Sequence, residues 1–303
     1  MISNCKGSSL TDLRTAIEEF VIDRKVRGSS PATLACYRYQ LAPFSNWCQG
    51  TGVDLSDLSA SHLRLYVTCR REISLNSMRE AVVRLRTFFR WCAAEELCVD
   101  HAAKIQPPRI DNKVVPALSV AQVRSMIALC KSGQFVGLRD ELFIRVIVDT
   151  GMRVGEAVAV GLSDIVLSDS QILIQNAKGR KQRLVYFGPR TAKCLMRYLR
   201  ERRKLAPASN CLLICGNGLP MNRRHAHQQL ARLALRAGVS GVRVSPHTLR
   251  HTFATWFLRS GGDVFSLQRQ LGQSSLSMTR RYLDLAQNDV AAAHGLHSPG
   301  NQL

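Results

Sequence analysis

The sequence predicts a mainly α-helical protein with a small antiparallel β-sheet, divided into two domains. Three observations lead there. At 303 residues the chain exceeds what one average core spans. Apolar residues recur with helical period along most of it, and only one stretch changes to the period of strands. A proline-rich segment interrupts both patterns.

Residues 10 to about 103 read as helical throughout. In "SSPATLACYRYQLAPFSNW", Ser30 is a helix cap, Pro31 suits the first helical position, and Leu34, Tyr37, Leu41 and Phe44 form an apolar stripe. Pro43 is expected to kink or end that helix. The run "SLNSMREAVVRLRTFFRWCAAEE" predicts a second strong helix, with Val82, Leu85, Phe89 and Cys92 on one side and Arg79, Arg86 and Arg90 in a row beside them. Such a row is either a solvated face or a place where a helix meets a phosphate backbone.

The text "KIQPPRIDNKVVP" has three prolines and no period, which marks an exposed linker at 104–116. It separates a helical domain, 1–103, from a second domain, 117–303. There, "SVAQVRSMIALCKSG" opens with a capping-box pattern from Ser119 to Gln122, and "LRDELFIRVIVDTGMRVGEAVAV" is a helical run broken at Thr150-Gly151. In "QILIQNAKGRKQRLVYFG", two β-rich runs flank a Lys-Gly-Arg-Lys turn, the pattern of a hairpin. Helices are expected to resume near 190 and to continue, with breaks, to the end.

Lysine and arginine number 42 against 22 aspartates and glutamates, a formal charge of +20. That surplus suits a polyanionic partner such as nucleic acid. No apolar core follows a basic start in the first twenty residues, and nowhere do about eighteen apolar residues run together. The expectation is a protein outside the membrane, in a reducing, bacterial-type cytoplasm. The ten cysteines lie mostly within apolar runs and read as reduced core thiols. Cys211 and Cys215 lack a second pair at zinc spacing, so no metal is expected there.

Chemistry concentrates in "SPHTLRHTFATWFLRSGGDV". Ser245-Pro246 starts a helix, and His247, Arg250 and His251 fall on one face near its N-terminus, where anions are favoured. A zinc pair, a satisfied surface cluster and a phosphate-handling site all place residues this way. The zinc reading wants glutamate where Thr248 stands. Arg153 in "TGMRVGEA", Lys178 in "NAKGRK" and Tyr282 in "TRRYLDL" complete the parts for metal-free phosphodiester cleavage. Guanidiniums clamp the phosphate oxygens, a lysine protonates the leaving oxygen, and a tyrosine attacks.

In order and separation, "TGMRVGEA", "AKGRKQRLVYFG", "SPHTLRHTFAT" and "LQRQLGQSSLSMTRRYLDL" resemble the tyrosine recombinase (phage integrase) family, most of all its Xer-type members. The resemblance spans nearly the whole chain, the N-terminal half being similar to the family's SAM-like core-binding domain. It implies a two-domain DNA clamp, neither metal nor cofactor, and a 3′-phosphotyrosyl intermediate leading to a Holliday junction. By position, Arg153 and Arg250 match the two transition-state arginines, Lys178 the general acid, His247 the phosphate-binding histidine and Tyr282 the nucleophile. Arg180 and Lys181 then join Arg79, Arg86 and Arg90 as expected DNA contacts. The implied partners are double-stranded DNA with paired recombination sites, a homo-tetramer with a dimer on each site, and accessory DNA-bending proteins. Glu156 is expected to orient or neutralise buried basic groups, and His251 to act through its neighbours.

One position departs from the family pattern. Gln273 stands where histidine or tryptophan is usual, and glutamine donates a hydrogen bond but carries neither charge nor proton. Gln273 leaves open a non-enzymatic DNA-binding derivative, and a similar Arg/Lys/Tyr set leaves open a topoisomerase-like nicking enzyme, beside the recombinase of a mobile element.

Overall fold

The computed structural model describes residues 12–69, 74–110, 116–130, 134–175 and 182–273. The chain divides into two compact units, Met1–Asn112 and Lys113–Leu303.

The first unit contains α1 (Leu13–Val26), α2 (Pro31–Thr51), α3 (Ala60–Cys69) and α4 (Leu75–Ala94). Side-chain caps set two of the starts: Ser30 Oγ accepts from the Thr33 N–H and Ser74 Oγ from the Ser77 N–H, each at 3.2 Å. Phe20, Phe44, Phe88 and Phe89 are buried together, with edge-on pairs at 5.5 Å for Phe20–Phe88 and 5.9 Å for Phe44–Phe89.

Pro43 does not end α2, which continues to Thr51. The proline lies on the exposed face, where water can reach the carbonyl it leaves unpaired. Leu41, Phe44 and Cys48 meanwhile keep the buried stripe continuous across it. Burial on both sides outweighs the local penalty. The expected core placement of cysteines also needs correction: Cys48, Cys92, Cys130 and Cys194 are buried, but Cys69 is exposed and Cys36, Cys98, Cys211 and Cys215 are half-buried.

The second unit is built around α6. Its elements are α5 (Val120–Ala128), α6 (Phe135–Thr150), α7 (Val154–Ala157), β1 (Ile165–Val166), β2 (Gln171–Ile174), β3 (Arg183–Tyr186), α8 (Pro189–Lys204), α9 (Arg223–Arg236), α10 (Pro246–Arg259) and α11 (Val264–Leu271). The Ser119–Gln122 capping box forms in full, with bonds of 3.1 and 2.9 Å. Helix α6 packs against both α8 and α10, and its Leu142, Ile144 and Ile147 are fully buried.

Among the described residues one sheet forms, antiparallel, in the order β1-β2-β3. Ile172 pairs with Val185 and Ile174 with Arg183, so the two strand runs of the sequence pair as a hairpin. Strand β1, only two residues long, adds an edge that no period could announce. The break between α8 and α9 is held by single bridges, Gly161 to Cys211 and Ile214 to Pro220.

Gly151 ends α6 in the left-handed region, at φ 64°. A side-chain carbon there would overlap the Phe253 ring and come within 2.9 Å of Leu271. Glycine is thus what lets α10 and α11 close over the end of α6. Gly151→Ala is expected to destabilise the second unit by about 2–4 kcal/mol, from left-handed strain plus overlap. Gly238→Ala, at φ 65° with nothing within 4 Å, is expected to cost only about 1 kcal/mol. Denaturant unfolding of the two variants checks the order.

Candidate active site

Two helix ends meet at Arg250. The Ser245 cap, accepting from the Thr248 N–H at 3.1 Å, starts α10 so that Arg250 enters the interior, where it is 6% exposed. There its Nη1 donates to the Gly151 carbonyl at 2.7 Å and its Nη2 to the Leu271 carbonyl at 2.8 Å. Both acceptors close helix C-termini, the electronegative ends, so a guanidinium is well placed there.

Two residues past Gly151, Arg153 opens α7. Its backbone N–H donates to Glu156 Oε2 at 2.8 Å and its Nη1 to Glu156 Oε1 at 2.9 Å. The same carboxylate takes two bonds from Arg183, at 3.0 and 2.7 Å. Burial pushes the Glu156 carboxyl up, but the bonds from Arg183 and Arg153 and the charge of Arg183 more than offset this and hold it at about 2. Glu156 therefore neutralises basic groups, as expected.

Arg153 and His247 line a cavity of about 530 Å³, together with Glu156, Asp164, Gln175 and Arg223. Asp164 is already engaged, accepting from the Gly161 N–H at 2.8 Å and from Gln175 Nε2 at 2.7 Å. Arg223, at the start of α9, lies across Gly155, where an added carbon would come within 2.5 Å of its guanidinium. His247 lines the cavity and is exposed. Desolvation there, then the positive charge of Arg250, His227 and Arg153, lowers its pKa below the usual imidazole value. An imidazole beside guanidinium donors suits an anion that takes both hydrogen bonds and proton transfer, as a phosphodiester does.

Arg153 and His247, from α7 and α10, thus share one cavity, while the buried Arg250 binds the Gly151 and Leu271 carbonyls. Neither Arg250 nor His251 lines the cavity. Gln273 follows the left-handed Gly272 (φ 59°) at the end of α11. Its N–H donates to the Gln268 carbonyl at 3.2 Å, and its carbonyl accepts from Gln268 Nε2 at 3.1 Å. Lys178, Arg180, Lys181 and Tyr282 lie outside the described residues. Among the described residues no three His, Cys, Asp or Glu side chains gather as metal ligands.

In the first unit, Arg79 donates to the Pro108 carbonyl at 3.0 Å and Arg86 to the Ile105 carbonyl at 3.5 Å. Each spends a donor on its own chain, and Arg90 is exposed.

Sequence reasoning missed Arg183 and Arg223. Arg183 is in phase with the buried Val185 on β3, and an arginine on the inward phase of a strand implies a buried carboxylate partner. That signal was present. Arg223 carried none, because its place over Gly155 depends on how α9 packs.

A family model described as "Phage integrase family" matches residues 116–289, and one described as "Phage integrase, N-terminal SAM-like domain" matches residues 17–96. The chain is 33% identical over 282 residues to a tyrosine recombinase XerD of Ralstonia nicotianae, covering 90% of each. It is 30% identical to a tyrosine recombinase XerC of Anoxybacillus flavithermus, covering 89% of this chain and 92% of that one. Among solved structures, XerH recombinase bound to palindromic difH substrate aligns with a TM-score of 0.73 at 22% identity, over 92% of this chain and 83% of that one. A lambda integrase dimer bound to a core site (residues 75–356) aligns at 0.71 and 18%, over 88% and 97%.

The acid limb of stability follows from Glu156. Its folded pKa, about 2, lies below the ordinary 4.5, so its contribution is present above pH 4.5 and is lost as pH falls towards 2. The shift corresponds to a contribution on the order of 3 kcal/mol. Glu156→Gln is expected to lower stability at pH 7 and to flatten the decline between pH 4.5 and 2, as measured by urea unfolding across that range.

Proposed function

We infer that this chain, which belongs to the phage integrase family of tyrosine recombinases, is a site-specific DNA recombinase that cuts and rejoins strands through a phosphotyrosyl intermediate. The observation that carries the reading is the cavity where Arg153, Arg223 and His247 converge around one neutralised carboxylate. It offers directional donors to a phosphate beside a histidine whose pKa desolvation and the surrounding positive charge lower.

In the proposed reaction, the Tyr282 oxygen attacks the scissile phosphorus while Arg153 and Arg250 stabilise the charge that grows on the non-bridging oxygens. His247 binds the phosphate and moves the proton. Lys178 protonates the departing 5′-oxygen, leaving a 3′-phosphotyrosyl bond and a free 5′-hydroxyl. That hydroxyl attacks the phosphotyrosyl bond of the partner strand and releases the tyrosine. One phosphodiester is exchanged for another, so the route needs no energy source. Gln273 offers a hydrogen bond where a histidine would offer charge as well, which points to slower cleavage.

Arg79, Arg86, Arg90, Arg180 and Lys181 are proposed to grip the flanking phosphates, making affinity steeply salt-dependent. The proposed assembly is a tetramer on two paired sites, a dimer on each, aided by DNA-bending proteins and serving a mobile element. No described helix is long and apolar enough to cross a membrane, and a cytoplasmic place beside the DNA is proposed.

Covalent trapping tests the reading. Incubation with supercoiled DNA carrying the flanks of the protein's own gene, in EDTA, followed by SDS, is expected to give 3′-linked protein that disappears in Tyr282→Phe. Salt-sensitive occupancy of a site without any adduct would sink it.

A further inference from the structure

Arg183 has a place in the site that no assigned role explains. It is held by three nitrogens: Nη1 and Nη2 grip Glu156, and Nε donates to the Gln270 carbonyl at 2.8 Å. Its side chain is 10% exposed. Gly272 packs against it, since a carbon added there would stand 3.0 Å from both Arg183 Cδ and Nη1.

The arrangement has a counterpart in Arg250. That residue bridges the Leu271 carbonyl to the Gly151 carbonyl, and Arg183 bridges the preceding carbonyl, Gln270, to Glu156. Two guanidiniums therefore tie consecutive carbonyls at the end of α11 to the two ends of the 151–156 segment, which carries Arg153. A planar fork with fixed donor directions sets register as well as charge. The same arginine begins β3, so the hairpin strand is bound into the same junction.

We propose that Arg183 is a positioning residue for strand cleavage: it registers Arg153, through Glu156, against the end of α11 and Gln273. The proposal rests on the recombinase reading above. Lysine at 183 would keep a charge opposite Glu156 but could not serve the carboxylate and the Gln270 carbonyl together. Methionine would remove both links and leave Glu156 with Arg153 alone.

The test compares wild type, Arg183→Lys and Arg183→Met in single-turnover adduct formation on a DNA site, with DNA affinity and thermal unfolding measured in parallel. Misplacement by about 1 Å slows chemistry about 10²-fold. That loss is expected for Arg183→Met and about a tenfold loss for Arg183→Lys, each with DNA affinity within about threefold of wild type. A purely structural role would lower affinity and thermal stability in step with rate. A wild-type cleavage rate in Arg183→Lys overturns the proposal. So does unfolding of both variants, because Arg183 would then serve stability alone.

Amide exchange at residues 270–273 reports the same junction without chemistry. Faster exchange is expected in both variants, and unchanged exchange overturns the proposal. Absence of a Tyr282-dependent adduct in the wild type would instead overturn the recombinase reading, leaving the exchange measurement to decide the role of Arg183.

Discussion

The buried carboxylate of Glu156 is the constraint on which the site depends. It accepts from a backbone N–H and from two guanidiniums, so every oxygen lone pair that burial would otherwise leave wanting has a partner. Removing such a group would leave two arginines repelling each other in a poorly hydrated pocket, which is more costly than never having built the pair. The four-residue helix α7 is too short to hold itself, and Glu156 supplies the bonds that fix it. Arg153 inherits its position from that.

Around this point the fold arranges helix ends in place of loops. The C-termini of α6 and α11 present carbonyls to Arg250, and the N-terminus of α10 presents His247 to the cavity. Positive groups meet negative helix ends below, while His247, its pKa lowered by its surroundings, lines the cavity. An anion entering the cavity finds its donors already oriented, and this preorganisation is how a site stabilises charge that appears only in the transition state.

Most of what the sequence made legible was local. Ser30-Pro31, the Ser119–Gln122 box, the Thr150-Gly151 break and Ser245-Pro246 each encode a helix boundary through capping chemistry of a few neighbours, and each appears where its residues stand. Pro43 does not end α2, because its penalty is local whereas the burial that overrides it is tertiary. Strand β1 was invisible for want of length. His247 lines the cavity, the place its position at the start of α10 suggested. Arg183 finds its carboxylate 27 positions away, beyond any capping or periodic pattern, and only its strand phase hinted at burial. Arg223 had no hint at all.

The most direct test of the account is a structure of Tyr282→Phe bound to its uncleaved DNA site. The scissile phosphate is expected inside the cavity, its non-bridging oxygens about 2.7–3.2 Å from donors of Arg153 and His247, with Glu156 still shared between Arg153 and Arg183. A scissile phosphate seated elsewhere, with the cavity empty and His247 turned from the DNA, would contradict it.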